Sequence, residues 1–266
     1  MNISFVVIEY HCLKEIRQCL ASLRSHAGKL SVEIIISSNS AYPIETQDQI
    51  KKEFSQTRWM FNAENGGFAY AMNRGIEKAS GEVVVLLNPD VRLLSDIEPA
   101  YRFLLACPEI AVLGPRILNR DGEIQDSARR FMTPWGLAKR LLTRLLQKRE
   151  VLLEKNFDYN LGQPVDWVIG AFMLIKKSAL GKVGMLDEKY FLYVEDMDWC
   201  KRFWYNGFQV FYFPDLAVEY EGSRQSTAFL LGEKNPNHFA FLHLKSYFRF
   251  VCKHRYFFKK SSNAIT

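Results

Sequence analysis

No uninterrupted apolar run in this sequence approaches the roughly eighteen residues that a bilayer-crossing helix needs, so no segment is expected to span a membrane. The start also lacks a secretory pattern. The apolar stretch 3–8 is short, and neither a basic lead-in nor a small-residue cleavage site surrounds it. Cysteine is sparse and unpatterned: Cys12, Cys19, Cys107, Cys200 and Cys252 are odd in number and lie far apart, without metal-ligand spacing. That usage predicts reduced thiols in a cytoplasmic protein rather than a disulfide frame. Low-complexity linkers and internal repeats are absent too. Nor is this a disordered composition, because 48% apolar and 14% aromatic residues over 266 positions suffice for a large core. Only 261–266 reads as a loose tail.

What is present is a net charge of +6, unevenly placed. Arg129, Arg130, Lys139, Arg140, Arg144, Lys148 and Arg149 form one basic stretch; Lys245, Arg249, Lys253, His254, Arg255, Lys259 and Lys260 form another. Such stretches suit anionic lipid, nucleic acid or a phosphorylated substrate, and they are equally what solvated helix faces look like. No nucleic-acid-reading motif accompanies them, so nucleic acid is not an expected partner.

Along the chain, short apolar runs alternate with helical patterns. Strands are expected at 3–8, 33–36, 58–61 and 83–87, with helices at 13–23, 45–54 and 68–79. Near-continuous apolar strands between helices predict an α/β domain, a mostly parallel sheet covered on both faces. In such sheets ligands sit beyond the carboxyl ends of the strands. After residue 110 the pattern changes. A basic amphipathic helix is expected at 134–147, an extended apolar segment at 165–175, a helix at 195–205 ended by Gly207, strands at 208–213 and 216–220, and an aromatic-rich helix at 237–253. The expected division is 1–115 as a nucleotide-binding half, 116–236 as an acceptor-facing half of the same domain, and 237–266 as a basic helix and tail.

Chemistry concentrates where these periods break. The apolar run Val83-Val84-Val85-Leu86-Leu87 stops at Asn88-Pro89-Asp90. Pro89 ends the ladder, and Asp90 offers a carboxylate to a divalent cation that bridges phosphates; the same three residues are also plain turn formers. Asn65-Gly66-Gly67 opens the helix that carries Asn73. Glycines permit close approach, and a helix start presents free N–H groups to an anion, although the spacing is not the dinucleotide fingerprint. Tyr193-Val194-Glu195-Asp196-Met197-Asp198 places acids at a third helix start among aromatics. It suits a base that takes a hydroxyl proton, or a simple dipole cap.

Taken in order, Val6-Val7-Ile8, the Asn65–Gly75 stretch, Gly81 to Asp90, Gly170-Ala171-Phe172-Met173-Leu174-Ile175 and Glu195 to Arg202 resemble glycosyltransferase family 2. The branch they look most like is the bacterial rhamnosyltransferases of surface-polysaccharide synthesis. The resemblance covers nearly the whole chain. It implies a GT-A fold and inverting transfer from a nucleoside-diphosphate sugar to a glycan or lipid-linked acceptor, with rhamnose as the sugar the branch suggests. It also implies Asp196 as the base, with Glu195 and Asp198 positioning the acceptor or bracing the helix. Gly170 and Ala171 would lie against the sugar, and Trp167 would be a stacking platform or core. Asn65, Gly66, Gly67, Asn73, Asn88 and Asp90 would belong to the donor side, and Asp90 would hold Mg²⁺ or Mn²⁺.

The sequence departs from that family in three places. Glu9-Tyr10-His11 replaces a Thr-Tyr-Asn-like tripeptide, and Ser37-Ser38-Asn39-Ser40 replaces an acid that touches the nucleoside. Tyr220 stands where a metal-binding histidine is common, leaving Glu219 or Glu221 as alternative oxygen ligands and Arg224 as a phosphate partner or a surface residue. The basic 237–253 helix fits a membrane interface at the inner face of the cytoplasmic membrane, or packing on the core or on a second subunit. A nucleotidyltransferase would want a basic Gly-rich loop after the first strand, and Glu9-Tyr10-His11-Cys12 offers none. The remaining alternative is a degenerate sugar-nucleotide-binding scaffold in a polysaccharide assembly.

Overall fold

A computed structural model describes residues 1–131, 157–220 and 236–254. The expected 134–147 helix, Glu221 and Arg224 therefore lie outside the described residues.

Strands β1 (Ile3–Glu9), β2 (Val32–Ser38), β3 (Arg58–Phe61) and β4 (Val83–Leu87) alternate with helices α1 (Leu13–Ser25), α2 (Ile44–Glu53) and α3 (Gly67–Lys78). The chain continues through β5 (Val91–Leu93), α4 (Glu98–Ala106), β6 (Ile110–Leu118), β7 (Ala128–Arg129), β8 (Gln163–Pro164), β9 (Trp167–Val168), β10 (Phe172–Lys176) and β11 (Gln209–Tyr220). An acidic helix, Glu195–Tyr205, precedes β11, and an aromatic helix, Pro236–Lys253, follows it.

The main sheet runs β3-β2-β1-β4-β10-β6-β11-β5, with β8 paired to β11, while β7 and β9 form a small second sheet. Parallel pairing joins β3, β2, β1 and β4, and again β6 and β11; β10 and β5 run the other way. The parallel part dominates, as the apolar strands predicted.

Why those strands are continuously apolar is visible in their two faces. Ile3, Phe5 and Val7 of β1 pack in one core with Ile16, Leu20 and Leu23 of α1 and Leu104 of α4. Val6 and Ile8 pack in the other, with Phe68, Met72 and Ile76 of α3 and Met197, Trp199 and Phe203 of the acidic helix. β4 divides the same way, Val83, Val85 and Leu87 against Val84 and Leu86. A strand buried on both sides is mostly apolar, polar positions such as Ser4 and Glu9 being held by hydrogen bonds, and each buried apolar side chain contributes about 2 kcal/mol by leaving water.

The second half differs from its expected outline. The segment 165–175 is two short strands, β9 and β10, separated by 169–171. The two strands expected at 208–213 and 216–220 are one strand, β11, whose register against β6 shifts between Phe213 and Ala217. Pro214 at that shift breaks the local pattern without ending the strand. Because β10 lies between β4 and β6, and β11 pairs with β5, one sheet runs across the expected boundary at 115.

Candidate functional site

The site is assembled where β4 ends. Pro89 halts the ladder, and the chain turns at once into β5, with Val91 N–H donating to Asn88 O at 3.3 Å. β5 pairs antiparallel with β11, register Tyr220↔Val91. That pairing brings Tyr220 to the loop: Asn88 Nδ2 donates to the Tyr220 hydroxyl at 3.3 Å. Asn88 Oδ1 is buried, with no hydrogen-bond partner among the described residues. A buried acceptor left in this state is costly unless a ligand or ion meets it.

The turn 169–171 joins this loop to the acidic helix. Asn88 N–H donates to Ala171 O at 2.9 Å, and Gly170 N–H donates to Asp196 Oδ2 at 2.8 Å. A Cβ at Gly170 would stand 3.4 Å from Asp196 Cβ and equally close to the Phe68 ring, so α3 arrives at the same point. Residues 88, 170–171 and 196, far apart in sequence, are thus linked through consecutive peptide groups.

The acidic helix begins under strain. Tyr193 (φ 69°) and Val194 (φ 72°) are both left-handed, a conformation unfavourable for any residue with a Cβ and worst for a β-branched one. Two elements clamp the turn. Phe68 N–H donates to Phe191 O at 2.9 Å, and Ser246 Oγ of the aromatic helix donates to Leu192 O at 3.0 Å. The result sets Asp196 against the turn at 169–171, where it accepts the Gly170 N–H.

Burial and proximity then set their charge. Asp196 is partly buried; burial raises its carboxyl above the ordinary range, and N–H groups of Gly170 and Met197 with the Arg129 charge hold that rise back. Glu195 is fully buried and is pushed well up, first by burial and then by the neighbouring Asp196 charge. Its Oε2 has no hydrogen-bond partner among the described residues. Asp198 goes the other way. Burial alone would raise it, but bonds from His254 and Lys253 and the Arg202 charge lower it to about 2. Neighbouring carboxylates in one helix turn are therefore driven apart in acidity, an arrangement typical of acid–base sites.

The glycine loop adjoins this centre. Asn65 Oδ1 accepts from Gly67 N–H at 3.1 Å and from Asn39 Nδ2 at 3.1 Å; Asn39 Nδ2 also donates to Gly67 O, and Asn62 Nδ2 donates to Asn39 Oδ1. Amides from the ends of β2 and β3 thus fix the loop. Gly67 has φ 88°, and a Cβ there would meet Phe191 O at 2.2 Å. Gly67→Ala is expected to cost at least about 1–2 kcal/mol from the backbone conformation alone. A melting midpoint equal to that of the unaltered chain would contradict this.

One buried acid was not singled out from the sequence. Glu9 accepts from Ser38 Oγ (2.5 Å), Ser40 Oγ (2.9 Å), Tyr42 Oη (3.1 Å) and Cys12 N–H (3.0 Å), at the carboxyl end of β1. Glu9 thus sits across the sheet from the end of β2, where the sequence has serines in place of an acid, and binds two of them. The signal was a single charge closing a strand that is apolar from Phe5 to Ile8. Arg129 was read only as part of a basic run, yet its guanidinium lies 5.1 Å over the Trp167 ring and its charge acts on Asp196.

Several expected site residues have other engagements. Asn73, expected on the donor side, donates through Nδ2 to Leu186 O and Glu188 Oε1 and accepts from Leu186 N–H, so it ties α3 to 186–188. Trp167 is buried, its Nε1 donating to Arg130 O, which makes it core under Arg129. Asp198 braces the helix, contacting Arg202, Lys253, His254 and Tyr190. Glu219, an alternative metal ligand, is instead paired with Arg92 at 2.9 Å, and strand alternation turns it away from the Tyr220 face.

Comparisons with known proteins bear on the fold and the family. The chain is 26% identical, over 94% of its length and 84% of the relative's, to N-acetylglucosaminyl-diphospho-decaprenol L-rhamnosyltransferase of Mycobacterium tuberculosis. It is 27% identical to rhamnosyltransferase WbbL of Escherichia coli, over 71% of this chain and 68% of that one. Among solved structures it matches GalNAc-T7 with UDP, GalNAc and Mn²⁺ at a TM-score of 0.62 and 15% identity, covering 94% of this chain but 47% of that one. The mannosyltransferase PcManGT of Pyrobaculum calidifontis with GDP-Man and Mn²⁺ matches at a TM-score of 0.55 and 15% identity, over 84% of this chain and 58% of that one. At that identity the structures attest the fold, which is GT-A. The model of Glycosyl transferase family 2 matches residues 4–184, and the chain belongs to glycosyltransferase family 2.

Proposed function

We propose that this protein transfers a sugar, rhamnose in the first instance, from a nucleoside-diphosphate donor to a hydroxyl of a lipid-linked glycan acceptor during surface-polysaccharide synthesis. The observation that carries the reading is the pair of bonds Asn88 N–Ala171 O and Gly170 N–Asp196 Oδ2, which holds the diphosphate loop and the acid on either side of one turn. The sugar and the lipid-linked acceptor rest on the names of the relatives.

Reaction is by single displacement. Asp196 takes the proton of the acceptor hydroxyl as its oxygen attacks the anomeric carbon, and the nucleoside diphosphate departs from the opposite face. Burial makes Asp196 a stronger base than a solvated aspartate, while the Gly170 and Met197 N–H groups keep its carboxylate oriented. Glu195, buried next to it in the helix and pushed towards its neutral form, leaves the charge on Asp196. Glu9, Ser38 and Ser40 form the nucleoside side, and the Gly66–Gly67 loop and Asn88 the diphosphate side.

The residues at the β4 end fit a divalent cation. Asp90 and Asn88 Oδ1 are hard oxygen donors of the kind Mg²⁺ and Mn²⁺ take, with the remaining positions left to phosphate and water. Tyr220 binds Asn88 rather than offering an imidazole, and no cluster of three or more His, Cys, Asp or Glu is present among the described residues. Such a cation would offset charge developing on the departing diphosphate.

A panel of UDP-, dTDP- and GDP-sugars, followed for slow hydrolysis with Mn²⁺ and with excess EDTA, tests the reading. One donor is expected to turn over, about tenfold or more slowly in EDTA. Undiminished hydrolysis in EDTA removes the cation. A silent panel without nucleotide binding favours a degenerate sugar-nucleotide-binding scaffold.

A further inference from the structure

The aromatic helix Pro236–Lys253 has two apolar faces, and among the described residues one of them packs on the core while the other is exposed. Tyr247, Phe250 and Val251 are buried against the core that holds the acidic helix. On the opposite side Phe241 is 62% exposed, Leu244 47% and Phe248 65%, at spacings that align them in one stripe. Large apolar side chains on a soluble surface are ordinary singly, but a stripe of them marks an interaction face.

Cations border that stripe. Lys245, four residues after Phe241, and Arg249, next after Phe248, lie along one edge of the stripe, and Lys189 from the facing loop joins them in a groove of about 670 Å³. Lys253 is already held by Asp187 and Asp198, but none of Lys189, Lys245 and Arg249 has a carboxylate partner among the described residues. No helix among the described residues is long and apolar enough to cross a membrane.

From this geometry we infer that the outer face of the aromatic helix is a docking surface for an anionic lipid bilayer, Phe241, Leu244 and Phe248 entering the interface while Lys189, Lys245 and Arg249 meet lipid phosphates. A free phosphate would satisfy the cations and leave the stripe in water. In a two-fold pair with a second copy, the same basic edge recurs on both partners, whereas a bilayer of anionic lipid answers both features at once. The placement also has a use. Through Ser246–Leu192 the helix holds the strained turn in front of Glu195, so a docked protein presents its acceptor side to the membrane. The inference deepens the lipid-linked acceptor reading and rests on it.

The test is flotation of the full chain with phosphatidylcholine vesicles, with and without phosphatidylglycerol, at low and high salt. Partition is expected only on phosphatidylglycerol vesicles at low salt. Lys245→Gln with Arg249→Gln should weaken it about thirtyfold, from about one factor of five per charge. Phe241→Ser with Phe248→Ser should abolish it, with melting midpoints and donor hydrolysis unchanged in both variants because these side chains face outward. No partition at low salt, or equal partition on neutral vesicles unaffected by the Gln variants, overturns the inference. So does a concentration-dependent dimer, lost on Phe248→Ser, in a chain that ignores vesicles. Vesicle binding without turnover of any donor supports the surface and counts against the transferase reading; turnover without vesicle binding does the reverse.

Discussion

Asp196→Asn is expected to lower sugar transfer by a factor of roughly 10² or more while leaving the protein folded. The amide keeps one oxygen for the Gly170 or Met197 N–H but can no longer take a proton from the acceptor. Initial rates on matched donor and acceptor, beside a thermal melt, decide it. Transfer within a few-fold of the unaltered chain removes Asp196 from the role of base. The pH profile gives a second readout. Because burial raises the carboxyls of Glu195 and Asp196, the acidic limb of kcat/KM should lie above the ordinary aspartate value of about 3.9, and it belongs to the pair rather than to one residue. In Asp196→Asn that limb should change along with the rate, which a purely structural loss would not produce.

Asp198→Asn should do the opposite, damaging stability first. Asp198 is fully buried and meets Arg202 at 3.0 Å, Lys253 at 2.8 Å and His254 at 3.0 Å. Removing the one shared anion leaves cations facing each other, which in buried pairs costs about 3–5 kcal/mol. Arg202 and Lys253 are partly in water, so the lower figure applies, a fall of roughly 6–12 °C in Tm. The pH dependence follows from the same contacts. Since Asp198 is lowered to about 2 in the fold, the unfolded chain binds its proton more readily, and the stabilisation is complete above about pH 4 and lost as pH falls through about 2. The difference between the two proteins should therefore be full at neutral pH and shrink across that acidic window. A variant that melts with the unaltered chain at pH 7 would show that the cluster contributes nothing net.

Much of the first half was legible because its strands are buried on both faces. β3, β4 and the acidic helix begin and end where the sequence pattern does, since a period of apolar residues stops abruptly at each. β5, α4 and β6 were not anticipated: β5 is short, and its reason for existing is a partner strand more than a hundred residues away. The insertion of β10 antiparallel between β4 and β6 has no local signal either. At the site, the motifs around Gly67, Asp90 and Asp196 were visible as interruptions of apolar pattern. Glu9 was not, because a lost tripeptide and a lost acid look like two deletions until the sheet sets Glu9 beside Ser38. The partners of Asn73 and Glu219 were not legible for the converse reason: a polar residue next to a motif can be engaged by a neighbour that only the fold supplies.

The position of β10 bears on how the protein is made. As the chain leaves the ribosome, β1 to β4 can pair early, yet β4 keeps one edge open until residues 172–176 arrive. That edge belongs to Val83-Val84-Val85-Leu86-Leu87, a sequence with every attribute of an adhesive strand. For nearly ninety residues of synthesis the nascent sheet is an unfinished template, because no hydrogen bonds close that edge until β10 is made. The strand that closes this edge is the one that sets the 169–171 turn beside Asn88, so the hazard at β4 ends in the step that prepares the site for Asp196 and Tyr220, which are made later.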